Sequence, residues 1–375
     1  MKIVTSESVF SGHPDKICDQ ISDAILDAIL AQDKNARVAV ECAIKDDLVV
    51  IFGEVTTTAR VDYEYVAAKV LKEIGYDEEF HFLVKISKQS ADIALGVDAT
   101  NTHEQGAGDQ GIMYGYACNE TKELMPLPIM CAHLIAKRMD LIRKTKYRHL
   151  FGADGKCQVS VRYEDGVPVG IDTVIVSAQT KPGADLSRIR DVISKDVLKY
   201  VFGENLSDIK VLINPTGSFE IGGPFGDSGL TGRKIIVDTY GGVAHHGGGA
   251  FSGKDVSKVD RSAAYYARYV AKAVVAADLA ERCEVSVAYS IGVADPVAVS
   301  VDTFGTGFID DDKLTQLVKN HFDFTPANIR KGLQLDHVKF RDLAVYGHVG
   351  REDLPVLWEK VDDKVDELRK AYEEA

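Results

Sequence analysis

The chain has 375 residues, 45% of them hydrophobic and 27% charged, and a formal net charge of −13 at pH 7. That length exceeds what one hydrophobic core serves and leaves room for two or three domains. The acidic balance excludes the broad basic face that a nucleic-acid or anionic-membrane surface needs, so neither partner is expected. No apolar run approaches the roughly 18 residues of a membrane span. Met1-Lys2-Ile3-Val4-Thr5-Ser6 carries no apolar core of a secretion signal, and the six cysteines are scattered without a CxxC pair. They read as free thiols of a reducing, cytoplasmic setting.

In chain order, Ile17, Ile21, Ile25 and Ile29 stand four apart behind Pro14, which predicts an amphipathic helix over 14–30. Val38, Val40, Cys42 and Ile44 then alternate, Lys45-Asp46-Asp47 turns, and 48–55 returns as the second arm of a hairpin. A second helix is expected over 63–74, closed by Gly75. Residues 87–111 have no period and read as an active-site lid loop. Further on, helices are expected over 126–143 and 186–200, with a hairpin of 158–163 and 169–178 around Glu164-Asp165-Gly166 between them. A strand at 234–239, a helix at 262–277 and strands at 284–293 and 297–303 complete the pattern. The chain therefore reads as α+β: three units at 1–100, 112–222 and 223–375, each an antiparallel or mixed sheet covered on one face by helices.

The segment richest in chemistry is 241–255, with six glycines in fifteen residues together with His245, His246 and Lys254. Glycines let backbone N–H groups close around an anion. From Gly248 the spelling G-x-x-x-x-G-K follows the Walker-type phosphate loop, but Asp255 stands where a hydroxyl would meet magnesium. A P-loop ATPase or small-molecule kinase is thus a competing reading, and a non-catalytic nucleotide-binding subunit a third. Around this loop, residues 231–261 hold five cationic side chains against three acidic ones, a basic patch suited to a small polyanion.

A second candidate is Gly12-His13-Pro14-Asp15-Lys16, where a helix start offers free N–H groups and a positive dipole end. Asp15 and Asp260, each at a helix start, suit either capping or magnesium. Glu41 and Glu54 sit on the two arms of the first hairpin and read as solvated residues or as ligands. Asp109 reads as a turn residue and Lys156 as a hairpin lysine when taken singly.

Taken together, these segments resemble the methionine adenosyltransferases, or S-adenosylmethionine synthetases. The hexapeptide Gly106-Ala107-Gly108-Asp109-Gln110-Gly111, the glycine-rich 247–255, Gly12 to Lys16, Gly229-Leu230-Thr231-Gly232-Arg233-Lys234 and Lys258-Val259-Asp260-Arg261-Ser262 run in that family's order over the whole chain. The resemblance implies three similar α+β domains about a pseudo-threefold axis. It also implies joining of ATP to L-methionine, with release of phosphate and diphosphate.

On matching positions the resemblance makes His13, Lys156, Arg233, Lys234 and Lys254 a triphosphate clamp. Asp15 and Asp260 become ligands of Mg²⁺, two ions per site, and Glu41 a ligand of K⁺. Glu54, Gln89, Asp109, Asp227 and Lys258 fall on the methionine side, Asp227 also serving ATP, with Asp154, Phe219 and Ala250 near the nucleotide. A homodimer with shared active sites, paired again into a homotetramer, is implied too. Ser218 departs from the family's usual arginine, Ala91 from a proline in the lid, and Ser11 from a glutamate.

Overall fold

The computed structural model describes residues 1–88 and 106–373. Strand β1 (Lys2–Val9) leads into helix α1 (Pro14–Leu30), whose isoleucines Ile17, Ile21, Ile25 and Ile29 are all fully buried. The hairpin follows as β2 (Arg37–Lys45) and β3 (Leu48–Thr56), turning through Asp46 at φ 50°. Helix α2 (Tyr63–Ile74) is capped by Asp62 and stopped by Gly75 at φ 117°, a value only glycine adopts without strain. Strand β4 (His81–Ser87) then runs parallel to β3.

Where the described residues resume come β5 (Gly111–Cys118), α3 (Leu127–Lys144) and a long hairpin, β6 (Phe151–Glu164) with β7 (Val167–Thr180). Helix α4 (Leu186–Val192) passes through a wider-wound stretch at Ile193–Leu198 into α5 (Lys199–Phe202), and β8 (Lys210–Ile213) follows. The last third holds β9 (Gly229–Leu230), α6 (Val259–Ala276), β10 (Arg282–Tyr289), β11 (Ala298–Asp302), α7 (Asp311–His321), α8 (Pro326–Gly332) and α9 (Asp362–Glu373).

Among the described residues three sheets result, in the orders β4-β3-β2-β9, β1-β6-β7-β8 and β11-β10-β5. Helices α1 and α2, α3 and α6 lie with them, which gives the α+β class read from the sequence. Each sheet takes a strand from a distant part of the chain. Strand β1 pairs with β6 from Lys2↔Tyr163 to Val9↔Lys156, β5 pairs with β10, and β9 pairs with β2. Most buried residues of the first and third sheets form one continuous core and those of the second form another, while Tyr116 and Cys118 of β5 join a small cluster with Met125, Ile129, Tyr240 and Val349. All six cysteines are buried and free, and no described helix is long and apolar enough to cross a membrane.

One expected element is absent. Residues 234–239 set the apolar run Ile235-Ile236-Val237 between polar neighbours, yet they form successive turns, with Asp238 N–H donating to the Lys234 carbonyl at 2.9 Å. The reason lies in α1. Lys234 pairs with Asp15 and Asp238 with Lys16, so two residues four apart in sequence must reach adjacent residues of one helix. A strand would separate them by about 13 Å; a turn brings them together.

Candidate active site

The first cluster forms at the start of α1. Gly12 packs so tightly that an added Cβ would lie 2.3 Å from the Ala153 carbonyl oxygen, and its own carbonyl accepts from the Tyr76 hydroxyl at 2.7 Å. His13 is the N-cap, its Nδ1 accepting the Asp15 N–H at 3.2 Å. Asp15 is 1% exposed. One carboxylate oxygen accepts the Leu230 N–H at 3.0 Å, the other accepts Lys234 Nζ at 2.7 Å, and Arg233 Nε stands 3.5 Å away. Burial, then Lys234, pulls His13 down to about 4. The ring is therefore neutral at pH 7, and with Nδ1 accepting, its proton sits on Nε2 as a donor.

Lys156, on β6, and Asp227 lie close enough to act on the charge of His13. Asp154 is buried, which raises its carboxyl, and accepts the Gly223 N–H at 2.8 Å; its own N–H donates to Gln179. Gln179 also donates to the Glu220 carbonyl, and the Phe219 carbonyl accepts from Thr180, so Phe219 runs beside Asp154 on this same side. Asp227 is exposed and folds back on the Ser228 N–H at 2.8 Å.

The second cluster forms at the start of α6. Lys254 Nζ donates to Asp260 at 2.7 Å, and both side chains remain partly exposed. An added Cβ at Gly249 would lie 2.3 Å from the Asp260 carboxylate, so the glycine loop lies directly on it. Lys258 donates to Asp255. Gly108 rests on Ser257, its added Cβ falling 2.7 Å from that carbonyl oxygen, which sets the Asp109 turn beside Lys258.

Both loops are stitched to the free edge of β2. Thr231 N–H donates to the Cys42 carbonyl at 2.9 Å, and Asp255 N–H donates to the Val38 carbonyl at 3.1 Å. Glu54 faces Ala39 across the hairpin, and Ala39 bridges to Lys254, so Glu54 and Lys254 share one face of the sheet with Glu41. The loops that carry the two clusters touch where Ala250 covers Gly232, 2.6 Å from its added Cβ. Gln89 and most of the segment expected to form a lid lie outside the described residues.

Asp255 departs from the Walker reading for a visible reason. It is 1% exposed and accepts N–H groups of Val38 at 2.6 Å and Ser257 at 2.9 Å besides the lysine. Burial would raise its carboxyl, but Lys258 and these donors outweigh it and hold it below the usual range. The residue anchors the loop and has no free face for a metal. Helix α6 begins only at Val259, and the sheet beside the loop is mainly antiparallel, so the P-loop ATPase reading is set aside.

Comparison with known proteins places the chain in a family. The chain matches the S-adenosylmethionine synthetase N-terminal domain over residues 1–96, the central domain over 104–219 and the C-terminal domain over 221–360. It is 51% identical to an S-adenosylmethionine synthase of Trichodesmium erythraeum (strain IMS101), over 99% of this chain and 97% of that one. It is 52% identical to an S-adenosylmethionine synthase of Prochlorococcus marinus (strain MIT 9211), over 98% of each.

The chain belongs to the S-adenosylmethionine synthetase family. It is an enzyme, a transferase with methionine adenosyltransferase activity.

Members of the S-adenosylmethionine synthetase family use metal ions. Among the described residues no group of three His, Cys, Asp or Glu forms a ready metal cage. Asp15 and Asp260 nevertheless fit magnesium, which is commonly held by one or two carboxylates completed by substrate phosphates and water. Each carboxylate is now balanced by a lysine suited to the same phosphates. Glu41 is a single exposed carboxylate outside any such group, so potassium enters no step below.

Two residues that build the site were given no role by the sequence, Arg261 although it stands within the quoted segment 258–262, and Ser11. Arg261 is fully buried and grips Asp23 with two bonds of 2.7 and 2.9 Å, while also donating to the Lys254 carbonyl at 3.2 Å. Ser11, whose departure from the family's glutamate has no evident meaning in sequence, donates twice to Asp140 and accepts from Arg143 at 2.9 Å. It braces α3 against the turn that precedes His13.

Proposed function

We propose that the chain joins ATP to L-methionine by attack of the thioether sulfur on the ribose C5′ carbon, releasing the whole triphosphate, which the same clamp then cuts to diphosphate and phosphate. The observation that carries this reading is the Asp15 cluster: a neutral donor imidazole, two cations and a buried carboxylate converging on one helix N-terminus. Such a place favours a polyanion. Sulfur has no proton to lose, so the reaction needs no general base. It needs alignment, worth up to about 7 to 11 kcal/mol, and stabilisation of charge on the leaving group.

His13, Lys156, Arg233, Lys234 and Lys254 supply that stabilisation. Charge grows on the triphosphate as the C–O bond breaks, so donors aimed there bind the transition state better than ATP itself. The neutral ring of His13 donates from Nε2 toward the bridging oxygen. Two Mg²⁺ ions, held by Asp15 and Asp260 with the phosphates, supply further positive charge when bound. Asp154, Phe219 and Ala250 border the nucleotide. Glu54, Gln89, Asp109 and Lys258 hold methionine, and Asp227 or Asp109 favours the sulfonium product.

The two clusters carry separate lysine–carboxylate pairs, and we assign them to opposite halves of a site shared between two subunits of a cytoplasmic homodimer, itself paired into a tetramer. With ATP, methionine and Mg²⁺ the products should be S-adenosylmethionine, diphosphate and phosphate. ADP as the main nucleotide product overturns the reading.

A further inference from the structure

Helix α1 carries a second four-residue repeat that the reaction scheme does not use: Asp15, Asp19, Asp23 and Asp27. It lies two residues out of phase with the isoleucines, hence about 200° around the helix. This acidic face is not solvated. Asp15, Asp19 and Asp23 are at most 1% exposed. Each accepts a backbone N–H from a loop. Leu230 donates to Asp15, Gly232 to Asp19 at 2.8 Å, Gly253 to Asp23 at 2.9 Å, and Phe340 and Arg341 to Asp27 at 2.9 and 3.0 Å.

Like charges at this spacing repel. The helix tolerates them because Lys234, Lys16 and Arg261 are set against the first three. A step of four residues also turns the row by about 40°. The first three members therefore meet the loops of the site, and the fourth meets the 340–341 segment, away from it.

Asp19 holds the decisive place. Gly232 sits at φ 79°, and its N–H is the last backbone anchor on α1 before Arg233 and Lys234 leave for the phosphate side. The other carboxylate oxygen of Asp19 lies 3.0 Å from Lys16 Nζ, and Lys16 in turn grips Asp238 one turn beyond Lys234. The segment that carries both clamp cations is thus tied down on each side by the Asp19–Lys16 pair. We propose that Asp19 is a positioning residue for the adenosyl transfer, fixing through Gly232 and Lys16 the backbone from which Arg233 and Lys234 reach the triphosphate. This rests on the reading that those two side chains clamp the triphosphate.

Asp27 supplies the control, since it makes the same kind of bond from the same helix to a segment outside the site. Asp19→Ala should lower kcat about a hundredfold, the cost of misplacing a reacting group by about an ångström, while the KM for methionine stays within roughly threefold. Asp19→Asn keeps an acceptor for Gly232 and should recover at least about tenfold of that loss. Asp27→Ala should lower the melting temperature yet keep kcat within roughly threefold of wild type. Should Asp19→Ala not fold, Asp19→Glu keeps the charge facing Lys16 but displaces the acceptor, and the same fall in kcat is expected.

The proposal is overturned if the folded Asp19 variants keep wild-type kcat, or if Asp19→Ala and Asp27→Ala lose kcat alike. A wild-type enzyme that makes no S-adenosylmethionine would instead defeat the functional reading, so the two failures are distinct.

Discussion

Helices α1 and α6 both begin beneath a cationic loop and both pair a lysine with a carboxylate in the first turn, yet the two starts are built by opposite means. At α1 the parts come from far apart: residues 12–15, 153–156, 223–234 and Tyr76. At α6 nearly everything lies within 247–260. The first carboxylate is 2% exposed at its side chain and the second 21%. A buried, many-stranded cluster holds its geometry without substrate. An open, local one is free to exchange Lys254 from Asp260 to a phosphate. On the proposed reading of a triphosphate clamp, the comparison makes the α1 side the fixed jaw and the α6 side the one that yields.

Neutralising each carboxylate in turn separates the jaws most strongly. Asp15→Asn and Asp260→Asn should each lower kcat by about two to three orders of magnitude, because each removes charge that organises the leaving triphosphate. Only Asp15→Asn should also destabilise the fold, by about 1 to 3 kcal/mol, since it strips two cations of their buried partner. Steady-state kinetics with thermal melting reads both effects. Near-normal turnover in the pair would reduce both residues to helix-start carboxylates without a metal.

A smaller contrast comes from two glycines. An added Cβ at Gly229 would fall 2.2 Å from the Pro14 backbone, whereas at Gly249 it would meet the Asp260 side chain, which can rotate. Gly229→Ala should therefore cost about 3 kcal/mol or more and yield little folded protein. Gly249→Ala should melt close to wild type but lose about ten- to a hundredfold in kcat. Equal loss of stability in the two would erase the distinction between a fixed and a yielding jaw.

The same contrast explains what could be read in advance. The α6 side was legible because it is local: a glycine run, Lys254, Lys258 and Asp260 stand in one stretch of sequence. Helix α1, the first hairpin and the α+β class were legible from the spacing of isoleucines and the alternation of 38–44. The α1 side was visible in separate pieces, Gly12 to Lys16 and Gly229 to Lys234. Tyr76 and Gly223, which complete it, have no sequence signal because nothing local requires them to meet. The strand expected at 234–239 is a turn because two tertiary ion pairs override the strand tendency of its run Ile235-Ile236-Val237. The aspartate row of α1 was in plain view, but a polar helix face is ordinarily solvated, and only its packing under three loops shows otherwise.

The central claim is that the two jaws closing on one triphosphate belong to different subunits. Lys234→Met and Lys254→Met each disable one jaw, and a two-fold dimer of mixed chains collects both damaged lysines in one site and neither in the other. Co-expression of the two variants with different affinity tags, isolation of doubly tagged protein and assay for S-adenosylmethionine measures this directly. Each parent should be inactive. Random mixing should return about a quarter of wild-type activity, and purified mixed dimers about half. Verified mixed dimers that remain inactive would place both lysines in the same chain's site and contradict the account.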